Sequence, residues 1–503
     1  MKKLLAFVVS VILLSSIIVP TICVAEEPFV ITMLTNYVSF EAPPADHEIF
    51  KIIEEETGAK FDVTWIPDSG YNEKVLLTLA SGDMPMVFNA CNQTRKPAML
   101  EAQRAGIFWE LTPELLSEFP TLSNLNPAIN KNLMVDGKLY CLYRERPVGR
   151  SNIVFRKDWI EKMNLPVPQD IESLDKVLRA FTTQDPDGNG KDDTCGIYIH
   201  ESGFVEFLVN FMSLAFGGSN KWEEKDGKFT PAFATDEFIK GLDQLKAWYA
   251  DGVLNSNFVA TTAVQDVYDQ FCSQKIGILM PFALDDALKQ GDLYTVAPDA
   301  VIDILPTFFD VNGGEYVLGQ NGNSGGYFFP KSAIKTEEEL KKVLRAMDII
   351  NDKNGRVFEA MVWGLEGRHY TRNEKGQIVQ TKEQKELRNR EVNNFIQMRV
   401  NYDHWGYTGD NAVVSDLQAA IFKGWQYNQN FAKYNPAEAL LSDTYMEIGS
   451  DLDRIRNDAM EKYVMGEITL DEYMGEVQKW YDFGGSKVVA EYEAAFAAPG
   501  VYA

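Results

Sequence analysis

Two periods of hydrophobic patterning alternate along positions 29–89. Phe29–Leu34 (FVITML) is a short apolar, β-branched run and predicts a strand. Pro44 then opens a predicted helix in which Ile49, Phe50 and Ile53 share one face, and Gly58 stops it. Phe61–Ile66 (FDVTWI) alternates as a strand does, Glu73–Ala80 (EKVLLTLA) is helical up to Ser81-Gly82-Asp83, and Met86–Asn89 is a third strand. Strand, helix, strand, helix, strand predicts a parallel sheet with helices on its faces. Ligands of such sheets lie beyond the carboxyl ends of the strands, which puts Thr35–Tyr37 and Asn89–Cys91 beside a cleft.

A second unit starts near Ser151. Ile153–Phe155 predicts a strand, Lys157–Met163 and Ile171–Phe181 helices, and Cys195–Ile199 another strand. Long helices follow at Phe204–Phe216, Thr235–Tyr249 and Val264–Ser273. Ile276–Met280 (IGILM) and Tyr327–Phe329 are strands, and Thr336–Asn351 is an amphipathic helix with acids at its start. From Glu383 onward the pattern is mostly helical. No internal repeat is evident. The expected fold class is α/β, in two lobes joined by several crossings, with a small-molecule cleft between them.

The 503 residues suit roughly two to four domains. Lys and Arg number 48 against 73 Asp and Glu, a net charge of −25. That balance excludes nucleic acid as a partner, since phosphate binding needs a basic footprint. It also disfavours attachment to anionic lipid. Only Met1–Ala25 carries a long apolar run: Lys2 and Lys3, then Leu4 to Val19, then Pro20 and small residues before Glu26-Glu27. This pattern is a secretory signal peptide and points to secretion, the periplasm or the cell surface. Cys23 offers a second processing route, cleavage before a lipidated cysteine, although Ile22 is an imperfect fit to the small residue preferred there.

Cys91, Cys141, Cys195 and Cys272 are too few for a disulfide scaffold in a chain of this length. His47, His200, His369 and His404 do not share metal-ligand spacing with one another or with cysteine, so zinc chemistry is not expected. Residues 185–193 read D-x-D-x-N-G-x-x-D. Asp185, Asp187 and Asn189 supply side-chain oxygens at positions 1, 3 and 5. Lys191 supplies a carbonyl at 7, Asp193 a ligand at 9, and Gly190 permits the turn. A structural calcium ion is the expected occupant. Gly196 stands where a twelfth-position Glu would complete such a loop.

Several segments together resemble one family. Leu79–Pro85 (LASGDMP) resembles the ASGD-x-P segment of bacterial extracellular solute-binding proteins, and Asp136–Tyr140 (DGKLY) their DGK-x-Y turn. Phe155–Trp159 (FRKDW) with Leu165–Pro168, Gly364–Tyr370 (GLEGRHY), Ile468–Tyr473 and Trp480–Glu491 resemble further stretches in the family's order. The loop at 185–193 is similar to the family's calcium loop, with Thr194 where some members carry an acid. The resemblance, to the large lipoprotein-type oligosaccharide-binding proteins of family 1, implies a two-lobe periplasmic-binding-protein-like fold of type II. It implies a monomeric receptor, not an enzyme, that captures an oligosaccharide and delivers it to ABC permease subunits. The expected lobes are 26–150 with 285–335, and 151–284 with 336–503, the second carrying the calcium loop.

A sugar site needs aromatic platforms for C–H faces and polar side chains for hydroxyls. Position after strands nominates Asn36, Tyr37, Asn89, Tyr143 and Phe282; polar, glycine-containing surroundings nominate Trp405 and Trp425; and Trp363, Glu366 and Tyr370 form a further cluster. Arg144, Arg146 and Arg150 stand out in so acidic a chain. They suit either the carboxylate of an acidic sugar such as a uronate or ion pairs at a hinge. Two other readings compete: a secreted glycoside hydrolase, which needs two carboxylates across the scissile bond, and a peptide-binding receptor of similar build.

Overall fold

The computed structural model describes residues 28–283, 292–400 and 411–498. Strand β1 (Phe29–Tyr37) pairs in parallel with β2 (Ala59–Pro67) from Phe29↔Ala59 to Tyr37↔Pro67. Parallel neighbours need a crossover, and helix α1 (Glu48–Thr57) supplies it, burying Ile49 and Ile53. The helix begins later than the predicted Pro44. The Pro44 carbonyl instead accepts the His47 N–H in a turn, and His47 Nδ1 caps the helix by accepting the Ile49 N–H at 3.2 Å. Helix α2 (Asp68–Ser81) starts before the predicted Glu73 and ends at left-handed Gly82. It leads to β3 (Val87–Asn89), again parallel to β1.

Strand β4 (Cys141–Glu145) closes the first passage, and β5 (Ser151–Arg156) opens the second sheet. Helix α3 (Ile171–Thr183) packs there, capped by Asp170 and Ser173. Strands β6 (Ile278–Ala283), β7 (Ile302–Leu305), β8 (Phe308–Phe309) and β9 (Glu315–Leu318) follow, and then β10 (Asn323–Phe328) returns to the first sheet. The first sheet has the order β2-β1-β3-β10-β4, with β10 antiparallel to both neighbours. In the second, β5 pairs antiparallel with β6 and β7, and β9 links β8 to β5. Helix α4 (Glu337–Ile350) has a capping box of Thr336 and Glu339; α5 (Lys382–Glu391) and α6 (Asp416–Asn428) follow. Strand β11 (Ala432–Lys433) joins β9, and α7 (Asp443–Val464) leads the C-terminal helices.

Two hydrophobic cores divide the chain. One gathers buried residues from Ile31 to Tyr143 and from Tyr327 to Val400. The other gathers Ile153 to Leu318 and Ile421 to Tyr492. The expected lobe boundaries are corrected accordingly. Residues 302–318 belong to the second sheet, because β7 and β9 pair with β5; residues 336–400 belong to the first lobe, because α4 packs on its core. The sequence pattern shows that a segment is a strand but not which sheet it joins. Cys195–Ile199 is not a strand; among its residues only Ile197 makes a bridge, to Leu254. Cys91, Cys141, Cys195 and Cys272 are all free thiols.

Two crossings lie side by side. The Arg146 N–H donates to the Gly322 carbonyl at 2.8 Å, and the Gln320 N–H to the Val148 carbonyl at 2.9 Å. One glycine sets how closely β10 approaches the turn after β3. Gly325 has φ +85, and a Cβ there would stand 2.1 Å from the Cys91 carbonyl oxygen. Gly325→Ala is expected to destabilise the fold by about 2–5 kcal/mol through backbone strain and overpacking; thermal and urea unfolding of the variant beside the parent measure it.

Candidate ligand-binding cleft

The carboxyl ends of β1 and β3 carry a buried polar cluster. Thr35, Asn36 and Asn89 are all buried. Asn36 Nδ2 donates to Asp68 Oδ1 at 2.7 Å, and the Cys91 thiol lies 3.5 Å from Asn36 Oδ1. Asn89 Nδ2 donates to Thr35 Oγ1 at 3.0 Å, and its Oδ1 accepts the Cys91 N–H at 3.0 Å. The Tyr71 hydroxyl donates to the Asn89 carbonyl at 2.6 Å. Thr35 and Tyr327 hydroxyls both donate to the Gln397 carbonyl, at 2.9 and 2.6 Å. The strand-end asparagines are thus tied into a rigid, nearly complete network, with Asp68 and Cys91 at its outer side.

Arg144 is the exception to that completeness. It is 4% exposed, and one guanidinium nitrogen donates to Gln397 Oε1 while another lies 3.5 Å from Cys91 Sγ. Its Nε has no hydrogen-bond partner, and among the described residues no carboxylate pairs with it. A buried cation is normally paired with an acid. Burial works against its charge, but Tyr327, Cys91 and Tyr71 outweigh that and leave its pKa raised. Burial pushes the Cys91 thiol up despite Arg144, so Cys91 stays a neutral thiol and not a nucleophile. Burial also raises the Tyr327 hydroxyl, against which Arg144, Arg146 and Arg399 all act. Three arginines, Arg144, Arg146 and Arg399, thus lie close enough to Tyr327 to act on its hydroxyl.

The nominated residues fall into three groups. Asn36 and Asn89 stand in the cluster just described, and Tyr37 is half-buried at the end of β1. Tyr143, Trp425, Trp363 and Tyr370 are buried in cores. The Tyr143 hydroxyl accepts the Asn126 N–H at 2.6 Å on the side of its strand away from Arg144's partners, and Trp425 packs on Phe422. Trp363 and Tyr370 form a small core with Phe358 and Ile378, the Tyr370 hydroxyl donating to Glu359. All four side chains are buried, and Trp425 with its polar neighbours Gln426 and Asn428 lies within α6. Glu366 is exposed, 3.5 Å from Arg372. The Phe282 backbone belongs to β6, its side chain lies outside the described part, and Trp405 lies outside the described residues. Arg144 carries the unmatched charge, with Gln397 as its hydrogen-bond acceptor. Arg144 was visible as one of three arginines in an acidic chain; Gln397 had no sequence signal.

Loop 185–193 gathers its acids as the spacing predicts. Asn189 Nδ2 donates to Asp187 Oδ2 at 2.7 Å and to Asp193 Oδ1 at 3.2 Å, and Asp185 accepts the Asn189 and Gly190 N–H groups at 3.0 and 2.9 Å. Burial, with Asp185 and Asp193 nearby, holds the Asp187 carboxyl above its ordinary value. Lys275 Nζ sits 2.5 Å from Asp193. Among the described residues no three His, Cys, Asp or Glu side chains are already arranged as a metal site. The donor set nevertheless suits a hard cation: Asp187 and Asp193 both meet the Asn189 side-chain amide and Asp185 holds the backbone of the same turn.

Two α/β lobes joined by paired crossings, with polar groups at strand ends facing the junction, define a two-lobe binding protein. The family model for bacterial extracellular solute-binding protein matches residues 39–347, and the chain belongs to that family. It is 33% identical over 461 residues to the polygalacturonan/rhamnogalacturonan-binding protein YtcQ of Bacillus subtilis, covering 91% of this chain and 89% of the relative. Lipoprotein LipO of the same organism is 29% identical, with 92% and 91% covered. Among solved structures, an extracellular solute-binding protein of Bifidobacterium longum subsp. infantis superposes with TM-score 0.71 at 15% identity, covering 93% and 98% of the two chains. The Streptococcus pneumoniae protein FusA in complex with kestose superposes with TM-score 0.65 at 17% identity, with the same coverage.

The GLEGRHY stretch proves to be a structural tie. His369 is buried, its Nδ1 accepts the Leu365 N–H at 2.9 Å, and its Nε2 lies 3.0 Å from Glu391, which Arg368 also grips. Burial lowers the His369 pKa from its ordinary 6.5, and the Arg368 and His369 hydrogen bonds hold Glu391 down to about 2. The unfolded chain takes up these protons first, so both groups favour the folded state at neutral pH. Stability is expected to fall as the pH drops below 6.5, and again from 4.5 through about 2. Urea unfolding across pH checks this, and Glu391→Gln should flatten the more acidic limb.

Proposed function

We propose that this chain is the extracellular substrate-binding protein of an ABC importer, which captures an oligosaccharide between its lobes and hands it intact to a membrane permease. The observation that carries the reading is Arg144: a buried guanidinium with no carboxylate partner among the described residues, in contact with Cys91, which itself lies against Asn36 at the end of β1. A ligand carboxylate in that cleft would complete the charge balance that the protein leaves open. The YtcQ relative binds polygalacturonan and rhamnogalacturonan by its name, and this supports a galacturonate-bearing oligosaccharide as the ligand.

The capture step follows from the geometry. The two hydrogen-bonded crossings let the lobes rotate without breaking either sheet. Ligand contacts made by both lobes favour the closed form, and closure needs no energy source beyond that difference in affinity. The rigid Thr35–Asn89–Gln397 network keeps the strand-end groups in place, so little ordering entropy is lost when a sugar binds. The neutral Cys91 thiol is a hydrogen-bonding neighbour in this scheme and takes no part in bond cleavage.

Galacturonate oligomers are expected to raise the melting temperature while remaining intact by mass spectrometry. Sugar fragments would indicate a glycoside hydrolase, and stabilisation only by peptides a peptide receptor. Arg144→Gln should weaken oligogalacturonate binding by about tenfold to a hundredfold, as expected for a hydrogen-bonded charge pair worth about 1.5–3 kcal/mol.

Calcium in loop 185–193 is part of the same reading, with Asp185, Asp187, Asn189, Lys191 and Asp193 as its donors. A FusA structure described as an EF-hand mutant supports such a loop in relatives. The ion would pin the loop, supplying no chemistry to the ligand. A chelator is expected to lower the melting temperature of the parent and to leave Asp187→Ala unchanged. The lipoprotein name of the LipO relative supports an anchor at Cys23, which lies outside the described residues; the intact mass of the exported protein distinguishes it from cleavage after Ala25.

A further inference from the structure

Beyond β1 the chain holds an aromatic ring out into water. Phe40 is 74% exposed and stands in the left-handed region, with φ 43. Neither condition is favourable for a phenylalanine in a loop without a purpose. Asn394 enforces both. Its Oδ1 accepts the Val38 and Ser39 N–H groups, each at 3.0 Å, and its Nδ2 donates to the Ser39 and Glu41 carbonyls, each at 2.7 Å. Asn393 adds a hydrogen bond to Ser39 Oγ. The backbone on both sides of Phe40 is therefore fixed while its ring is left uncovered.

The ring borders a cavity of about 660 Å³ between this loop and the segment around Arg368 and Glu391. Pro43, Pro44 and His47 line it from the loop, and Arg390 from the end of α5. Arg368 is occupied by Glu391. Arg390 is exposed, and among the described residues no acid pairs with it. An open ring face beside a cation and a scatter of carboxylates, Glu41, Asp46 and Glu48, suits a sugar: C–H groups on the ring and hydroxyls on the charged rim.

The loop that borders the cavity follows directly on β1, whose end carries Asn36. Phe40 follows the β1 terminus, Tyr37, by three residues, a span of at most about 10 Å. The segment Asn393–Met398 that pins Phe40 also carries Gln397, the partner of Arg144. We propose that Phe40 and Arg390 form a distal subsite that takes an additional pyranose unit of a long oligosaccharide whose nearer units lie against Asn36 and Arg144. This rests on the reading of the protein as an oligosaccharide receptor and adds a length preference to it.

Titration calorimetry of the full chain with galacturonate oligomers of increasing length, from the disaccharide to the hexasaccharide, tests it. The parent should bind the longer members more tightly. Phe40→Ala should cut that gain by about fivefold to twentyfold and leave the disaccharide unaffected, and Arg390→Gln should cut it less and make it less sensitive to salt. Circular dichroism melts of both variants check that they fold. Equal affinities of parent and Phe40→Ala at every length would overturn the subsite. So would unchanged affinities combined with lost uptake in cells, which would make Phe40 a permease contact. Parent binding to the disaccharide without any gain with length defeats the subsite alone, whereas parent binding to no oligomer defeats the receptor reading as well.

Discussion

Two short crossings, 146–150 and 319–322, constrain everything else in this molecule. They leave one sheet at Glu145 and Leu318 and enter the other at Ser151 and Asn323, and they are hydrogen-bonded to each other. Because β4 and β5 are only five residues apart, the two sheets cannot separate, and their ends must face one another. The Glu145 N–H also donates to the Val400 carbonyl at 2.7 Å, which brings the end of the Asn393–Met398 segment to the same junction. The junction is also packed: Val148 of one crossing, with Leu441 and Met446 from beyond it, lies against the first core.

The junction explains where polar groups accumulate. Parallel strands end with their carbonyls and side chains directed at the gap, and at that edge the chain buries Thr35, Asn36 and Asn89 in mutual hydrogen bonds. Arg144 enters the same layer on β4, next to the strand's last residue, Glu145. Its opposite neighbour in the strand, Tyr143, points to the other side and receives the Asn126 N–H. The alternation of a strand thus sends two adjacent residues to opposite sides of the sheet, Arg144 toward Cys91 and Gln397 and Tyr143 toward Asn126. Among the described residues the hydrogen-bond partners of Arg144 are an amide and a thiol, where a buried cation is ordinarily paired with an acid.

The segment from Trp363 to Asn394 does structural work that reaches the cleft indirectly. Trp363 and Tyr370 close a small core, with Arg388 over the Trp363 ring and Arg372 near the Tyr370 ring. His369, Arg368 and Glu391 lock that unit to α5. Asn394 then fixes the loop after β1, and Gln397 reaches Arg144. Packing in a satellite core is in this way connected to the geometry of the strand-end groups through a single stretch of chain.

Much of this was legible in the sequence. The parallel start of the first sheet follows from the alternation of two hydrophobic periods, because each period buries one face of one kind of element. The acids of loop 185–193 lie close in the sequence, and two of them, Asp187 and Asp193, hydrogen-bond the Asn189 amide. What the sequence left open depends on contacts between residues far apart. Trp425 has polar neighbours in the chain and apolar neighbours in space, and Trp363 and Tyr370, read as a cluster from the sequence, are buried together in a small core. The return of β10 to the first sheet, the membership of 336–400 in that lobe, and the meeting of Arg144 with Gln397 were decided only by tertiary structure. Strand pairing and the burial of a charge are set by which surfaces dock, and no local period records that.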